Sequence, residues 1–168
     1  MPERHLVYLA IGTNLGDRRA NLEAAVRLLR PEVEVIAWSR LYETEPAYVL
    51  EQPNFLNMAI KAQTELAPLE LLAYLKRLEQ EVGREKTIHY GPREIDLDII
   101  FYDDLVLSSP DLQIPHPRLA ERAFVLRPMA DIGAEISHPI LQQTIADLVD
   151  DLPVDDGILA TSDWQPEL

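Results

Sequence analysis

Residues 89–101 read HYGPREIDLDIIF, in which carboxylates alternate with large apolar side chains. Side chains of an extended strand alternate between its two faces, so one face is predicted to be apolar, with Ile95, Leu97, Ile99 and Phe101. Asp96 and Asp98 then share the opposite face, with their α-carbons roughly 6.5 Å apart. Two such carboxylates repel each other without a cation, and together they can reach one Mg²⁺ or a bridged pair of ions. The segment therefore predicts a strand that carries a metal-binding pair.

Positive charge precedes this strand and continues after it. Arg93 stands just before the carboxylates, where it can pair with them or hold a phosphate in a bidentate manner. Basic side chains gather within residues 84–127, namely Arg84, Lys86, Arg93, Arg118, Arg122 and Arg127, with His89 and His116. Such a local cluster in an acidic chain suits an anionic small ligand. Glu94 has the same strand parity as the aspartates, but its position at the start of the strand favours a solvated side chain.

Length and composition limit the possible classes of protein. The chain has 168 residues and a net charge of −14, which opposes binding to nucleic acids and to anionic membrane surfaces. It contains no cysteine, so thiolate zinc sites, thiol nucleophiles and disulfides are excluded. The apolar run over residues 6–11 is too short for a signal-peptide core or a spanning helix. We expect a cytoplasmic monomer with small-molecule partners, made of one domain over 1–150 and an acidic tail over 151–168.

Hydrophobic periodicity predicts the order of the elements. The predicted strands are 6–12, 33–42, 55–64 and 94–101, and the predicted helices are 18–29 and 68–82. This β-α-β-β-α-β order is typical of an α+β, ferredoxin-like antiparallel sheet with both helices on one face. We also predict a short extra hairpin strand over 105–107 and short C-terminal helices that cover part of the otherwise open face. The tail is expected to be loosely ordered.

Several side chains outside the aspartate strand are candidates for ligand binding. Asn57 lies inside an apolar strand and is either a structural bridge or a reader of a heteroaromatic ligand. His116 is held between two prolines, which fix its presentation, although a lone loop histidine commonly has no role. Phe55 and Phe124 are more often core residues than stacking platforms. Residues 43–54 form a connection longer than a hairpin needs, which indicates a ligand-binding loop.

Several motifs together resemble the 6-hydroxymethyl-7,8-dihydropterin pyrophosphokinase family of folate biosynthesis over about residues 8–139. They are GTNLGD over 12–17, YETEP over 42–46, QPNFLN over 52–57, GPREIDLD over 91–98, IPHPR over 114–118 and ERAF over 121–124. The pattern GPR-x-x-D-x-D is highly specific. The resemblance implies a ferredoxin-like fold and transfer of the terminal pyrophosphoryl group of ATP to the pterin hydroxymethyl oxygen, leaving AMP.

The resemblance also implies roles for individual residues. Asp96 and Asp98 resemble the ligands of two Mg²⁺ ions, and Arg84 and Arg93 act with them in catalysis. The implied ATP-binding residues are Arg84, Lys86, Arg93, His116 and Arg122. The implied pterin-binding residues are Thr44, Phe55, Asn57 and Phe124. The chain departs from the common family pattern at Tyr48, Lys86, His89 and Tyr90.

The chemistry of pyrophosphoryl transfer fits these residues. Such a transfer needs positioning and neutralisation of charge more than a covalent nucleophile. No general base is apparent in the sequence, and a metal that polarises the hydroxymethyl oxygen is the more economical proposal. Two alternatives stay open: another Mg²⁺-dependent nucleotidyl or glycosyl transferase built on the Asp-x-Asp strand, and a non-enzymatic ferredoxin-like ligand sensor. We also expect loops 13–17, 43–54 and 84–92 to close over bound substrates.

Overall fold

The computed structural model of the protein describes residues 3–46, 51–83 and 95–166. Within these ranges, helices pack on both faces of a six-stranded antiparallel sheet. The sheet strands are β1 (His5–Thr13), β2 (Val33–Trp38), β3 (Leu41–Thr44), β4 (Phe55–Thr64), β5 (Asp96–Tyr102) and β8 (Ile158–Ser162). A separate ribbon consists of β6 (Leu107–Ser108) and β7 (Gln113–Ile114). The helices are α1 (Arg18–Leu29), α2 (Pro68–Val82), α3 (Ala123–Gly133) and α4 (Ile145–Asp150), with a 3₁₀ turn over Leu119–Glu121.

The strand order confirms the predicted α+β, ferredoxin-like arrangement. β1 lies between β5 and β4, and both β2 and β3 pair with β4. The strand predicted over 33–42 is therefore two strands, which separate at Ser39. Ser39 donates its backbone N–H to the Ala59 carbonyl at 2.9 Å, and its hydroxyl accepts the Ala59 N–H at 2.8 Å. These bonds replace the regular ladder, so β3 continues beside β4 at a new register.

The first hydrophobic core lies between the sheet and helices α1 and α2. An aspartate just before the predicted helix 18–29 is typical of an N-cap, and Asp17 does cap α1, since its carboxylate accepts the Ala20 N–H at 3.1 Å. The spacing of Leu69, Leu72, Leu75, Leu78 and Val82 predicts that these side chains form the buried face of α2, and Leu69 departs from this prediction. Leu69 is 54% exposed, whereas Leu71 is fully buried with Leu75. The helix is thus rotated towards Leu71, which the sequence pattern alone did not select.

The second face of the sheet is covered more fully than predicted. Val125, Leu126 and Met129 of α3 pack with Tyr8 and Phe101 of the sheet, and α4 joins the same cluster. Segment 108–138 therefore contains a helix of 11 residues, which is longer than the short helices predicted there. The ribbon also differs, because β6 begins at Leu107 and pairs with β7 instead of the main sheet.

A bulge divides β5 into two halves that face differently. Ile99 pairs with Leu9 and Phe101 pairs with Tyr8, so Ile100 is an extra residue in the ladder. One inserted residue reverses the alternation of side chains. Phe101 consequently packs in the second core, and the prediction that it shares the face of Leu97 and Ile99 is wrong. Asp96 and Asp98 precede the bulge and keep the predicted alternation with buried Leu97.

The C-terminal tail contributes a strand to the sheet. β8 pairs antiparallel with β3 and adds a sixth strand beyond it. The expectation of a loosely ordered tail is therefore wrong for Ile158–Ser162. Of the helices in the described ranges, none combines the length and the apolar character needed to cross a bilayer.

Candidate active site

A transverse row of paired residues brings the main candidates to one face of the sheet. Gly12 of β1 pairs with Asp96 of β5 on one side and with Asn57 of β4 on the other. Asn57 in turn pairs with Tyr42 of β3. Directly opposed residues of antiparallel strands project to the same face. The Tyr42 hydroxyl donates to Asp131 of α3 at 2.7 Å, which identifies this face as the one that α3 covers in part.

The floor between the carboxylates and Asn57 is made of very small residues. A Cβ atom placed on Gly12 would lie 2.6 Å from Oδ1 of Asn57 and 3.7 Å from a ring carbon of Phe55. The next row continues the pattern, because Ala10 pairs with both Asp98 and Ala59. Glycine and alanine therefore project little from this part of the sheet, and polar side chains lie on either side of them.

The Asn57 amide is fixed by a neighbouring strand. Its Nδ2 donates to the Thr44 hydroxyl at 2.7 Å, and both side chains are buried. Since Nδ2 faces Thr44, Oδ1 faces Gly12. The structural bridge considered from the sequence is thus present, and it also gives the amide one defined orientation.

Two residues predicted for different ligands lie together at the start of α3. The guanidinium carbon of Arg122 is 5.5 Å from the centroid of the Phe124 ring, a cation–π geometry. Phe124 is half-buried and packs against the second core. The predicted phosphate and pterin sides therefore adjoin at this helix end.

His116 is held in one tautomer. Its backbone N–H donates to the Ile100 carbonyl of β5 at 3.3 Å, and its Nδ1 accepts the Arg118 N–H at 3.2 Å. A neutral ring with Nδ1 as acceptor carries its hydrogen on Nε2. Burial, helped by the positive charge of Arg122 and opposed by Asp96, lowers the pKa of His116 to about 4. The imidazole is neutral near pH 7 and offers Nε2–H as a donor.

A third carboxylate, Glu79 of α2, was not singled out by sequence reasoning. Its Oε2 accepts the Leu97 N–H of β5 at 2.7 Å, and its Oε1 lies 3.2 Å from Nζ of Lys76. Burial raises the pKa of Glu79 to about 7, against the effects of the Leu97 hydrogen bond and Lys76, while the Asp96 charge adds to the rise. The sequence gives no signal that Glu79 contacts β5, because Glu79 stands in a run of charged helical residues.

The β1–α1 loop is tied to the loop before β4. Asn14 is 1% exposed, and its Nδ2 donates to Oε1 of Gln52 at 2.9 Å and to the Pro53 carbonyl at 3.1 Å. Arg18 reaches the same segment through the Asn54 carbonyl at 3.1 Å. Asn14 is thus anchored inside the protein, and the expected closure of loop 13–17 over bound substrates stays a prediction.

The donor set on β5 is a pair of carboxylates. Across residues 3–46, 51–83 and 95–166, no group of three or more His, Cys, Asp or Glu side chains is arranged to hold an ion. Asp96 and Asp98 thus offer two hard carboxylates on one strand face. Mg²⁺ at nucleotide sites commonly takes one or two carboxylates and completes its shell with phosphates and water. The carboxylate pair fits such an ion, and the number of ions stays a prediction.

The remaining predicted site residues fall outside the described ranges. These are Arg84, Lys86 and Arg93, together with the family departures Tyr48, His89 and Tyr90. Their predicted roles stay predictions.

The chain is similar to known proteins of one family in sequence and in fold. The family model described as 7,8-dihydro-6-hydroxymethylpterin-pyrophosphokinase (HPPK) matches residues 8–134. An Aquifex aeolicus protein named 2-amino-4-hydroxy-6-hydroxymethyldihydropteridine pyrophosphokinase is 40% identical over 139 residues, which are 83% of this chain and 87% of that protein. The pea protein named folate synthesis bifunctional protein, mitochondrial, is 49% identical over 75% of this chain.

The relatives differ in length. The chain spans 25% of the pea protein and 21% of the folic acid synthesis protein of Dictyostelium discoideum. A Plasmodium falciparum HPPK-DHPS crystal structure superimposes with a TM-score of 0.76 at 18% identity, covering 89% of this chain and 46% of that one, and so supports the fold. The family match over most of the chain and the Aquifex relative confirm the resemblance inferred from the motifs, and the chain belongs to the 7,8-dihydro-6-hydroxymethylpterin-pyrophosphokinase family.

Proposed function

We propose that this protein transfers pyrophosphate from ATP to the hydroxymethyl group of 6-hydroxymethyl-7,8-dihydropterin, giving AMP and the pterin diphosphate. The observation that carries the proposal is the transverse row, in which a carboxylate, a glycine and an oriented amide share one sheet face. Family membership supports the same reaction. In this row, one strand, β1, lies between the proposed site for the metal nucleotide and the proposed site for the neutral polar ring.

The β5 side of the row is proposed to bind ATP. Asp96 and Asp98 would hold Mg²⁺, which when bound neutralises phosphate charge and polarises oxygen atoms. Neutral His116 would donate its Nε2–H to a phosphate oxygen, and Arg122 would supply a fixed positive charge. The motif resemblance adds Arg84, Lys86 and Arg93 to the phosphate-binding and catalytic set.

The β4 side is proposed to bind the pterin. Asn57 would present Oδ1 to an N–H group of the ring, while Thr44 keeps the amide from rotating. Phe55 borders the same space beside Gly12, and Phe124 lies at the start of α3. Flat aromatic faces and one oriented amide suit a flat heteroaromatic ligand with several polar edges.

The reaction then needs alignment of two bound substrates. The hydroxymethyl oxygen forms a bond to the β-phosphorus of ATP, the bond from that phosphorus to the oxygen bridging to the α-phosphate breaks, and the hydroxyl proton is released. AMP leaves with the bridging oxygen. The low floor at Gly12 and Ala10 leaves room for the acceptor to approach the phosphates. Positioning and charge stabilisation supply the rate enhancement, so no covalent nucleophile is required.

The proposed setting is a cytoplasmic monomer that acts on two small molecules. A net charge of −14 gives no attraction to nucleic acid or to anionic lipid, which supports small molecules as the partners.

The decisive experiment measures AMP and pterin diphosphate formed from ATP, with and without the reduced hydroxymethylpterin and Mg²⁺. We expect both products in equal amounts, and only when ATP, pterin and Mg²⁺ are all present. ADP formation, or transfer of a nucleotidyl group, would favour another Mg²⁺-dependent transferase. Metal-independent ligand binding without turnover would favour a sensor domain.

A further inference from the structure

The C-terminal segment 156–164, called the strap below, crosses the molecule beside the Asn57 side of the row. Its strand β8 pairs with β3, with Ile158 opposite Thr44 and Ala160 opposite Glu43. The family match ends at residue 134, so the strap lies beyond the part of the chain that the family describes.

The strap is tied down at both ends. At its start, Oδ2 of Asp156 accepts from Nε of Arg127 on α3 at 2.9 Å, and Oδ1 accepts the Ile158 N–H at 3.1 Å. The Asp156 side chain is only 11% exposed. At its other end, Trp164 packs against the first core, with the guanidinium carbon of Arg19 on α1 5.6 Å from its ring centroid. The strap therefore links a helix on one face of the sheet to a helix on the other.

A chain of hydrogen bonds leads from the strap to the Asn57 amide. The Gly157 carbonyl accepts the Glu45 N–H at 2.9 Å, directly after β3 ends at Thr44. Thr44 in turn accepts from Nδ2 of Asn57. Gly157 has a φ of +80°, a conformation that glycine adopts without strain. The turn that presents its carbonyl is thus built into the sequence.

Helix α3 also forms hydrogen bonds that hold β3 in place. Oδ2 of Asp131 accepts from the Tyr42 hydroxyl at 2.7 Å and from the Arg40 N–H at 3.1 Å. Arg127 stands one helical turn earlier, so α3 anchors both β3 and the strap. Without β8, this four-residue strand would be an edge strand with one row of unpaired backbone groups.

We propose that the strap is a positioning element for pterin binding: it holds the end of β3 so that Thr44 keeps the Asn57 amide aligned with the ring. This inference rests on the proposed function. Short edge strands fray at low cost, and fraying at Thr44 would free the amide to rotate. The strap lies on the far side of β4 and β1 from the β5 carboxylates. Loosening it should therefore weaken pterin binding selectively.

The test compares three full-length variants in steady-state kinetics, at a temperature where each is folded by circular dichroism. Asp156→Ala removes both hydrogen bonds at the start of the strap, whereas Asp156→Asn keeps an oxygen acceptor for Ile158. Asp163→Ala is the matched control, because Asp163 lies just past β8 and its pair with Arg40 is highly exposed. We expect Asp156→Ala to raise the KM for pterin about fivefold, with a KM for ATP within about twofold of wild type. Asp156→Asn should have a smaller effect, and Asp163→Ala none.

The inference is overturned if Asp156→Ala raises both KM values equally, or if it lowers the melting temperature while both KM values stay at wild type. Gly157→Ala provides a second variant if Asp156→Ala does not fold, since it strains only the turn next to Glu45. The same rise in the KM for pterin is expected from it, and an unchanged value also overturns the inference. Absence of AMP formation by the wild-type protein would instead refute the proposed function.

Discussion

The two sides of the transverse row differ in charge. On the β4 side, Asn57 and Thr44 are neutral, buried and bonded to each other. On the β5 side, Asp96 and Asp98 share a face with their negative charges, and Glu79 lies nearby under the same strand. Neutral groups can be assembled by the protein alone, whereas clustered carboxylates are stabilised by a cation. Substitutions on the two sides should therefore separate ligand recognition from metal-dependent turnover.

The largest effect is expected on the β5 side. Asp96→Ala or Asp98→Ala should lower kcat/KM by about 10³-fold or more, because loss of a metal ligand removes charge neutralisation in the transition state. Thermal stability without Mg²⁺ should hold or rise, since carboxylate repulsion is relieved. Turnover and melting temperature measure the two effects, with exposed Asp104→Ala as the control. Near-normal turnover of either variant at moderate Mg²⁺ would contradict the assignment.

On the β4 side, Asn57→Leu should affect one substrate only. Loss of the amide leaves polar groups of the pterin ring, and the Thr44 hydroxyl, without this hydrogen-bond partner. Each unpaired group costs about 1–3 kcal/mol of free energy. We expect pterin affinity to fall by about one to two orders of magnitude, with little change in ATP affinity. Calorimetric titration of each ligand provides the measurement. Equal losses for both ligands would indicate misfolding, and unchanged pterin affinity would place the pocket elsewhere.

A smaller effect is expected between the two sides. Gly12→Ala places a methyl group 2.6 Å from Oδ1 of Asn57, so the amide must shift. The KM for pterin should rise about tenfold, and the effect should largely disappear in an Asn57→Ala background, where the contact no longer exists. This double-mutant cycle tests whether Gly12 acts through the amide. Additive effects of the two substitutions would show that it does not.

The smallest effect concerns charge under β5. The pKa of Glu79 is raised to about 7 in the folded protein, so its contribution to stability is present at low pH and is lost as pH rises through about 7. Glu79→Gln keeps an oxygen acceptor for Leu97 and removes the charge. From pH 5 to pH 8 without Mg²⁺, the free energy of unfolding of the wild type should fall. The fall should be smaller in Glu79→Gln, and the difference between the two falls should be on the order of 1 kcal/mol. Denaturant titrations at both pH values measure this, with Glu81→Gln, exposed on the same helix, as the control.

Sequence reasoning succeeded where local patterns carry the information. Alternation identified the Asp96–Asp98 face, and the cap at Asp17 located the start of α1. It failed where pairing between distant strands decides the outcome. The bulge at Ile100 and the addition of β8 both depend on partners far away in the chain. Glu79 was missed for a similar reason, since only the fold brings it beneath the Leu97 amide.

The central position of Gly12 has a consequence for the size of the substrates. Asp96 and Asn57 stand one strand to either side of it, so their α-carbons are separated by two interstrand spacings, about 9–10 Å. Backbone hydrogen bonds set that spacing, and side-chain movements change it little. The sheet thus fixes the distance between the bound ring and the metal nucleotide. An acceptor whose hydroxyl arm is one methylene longer or shorter should bind the Asn57 side normally and yet present its oxygen out of line with the phosphorus.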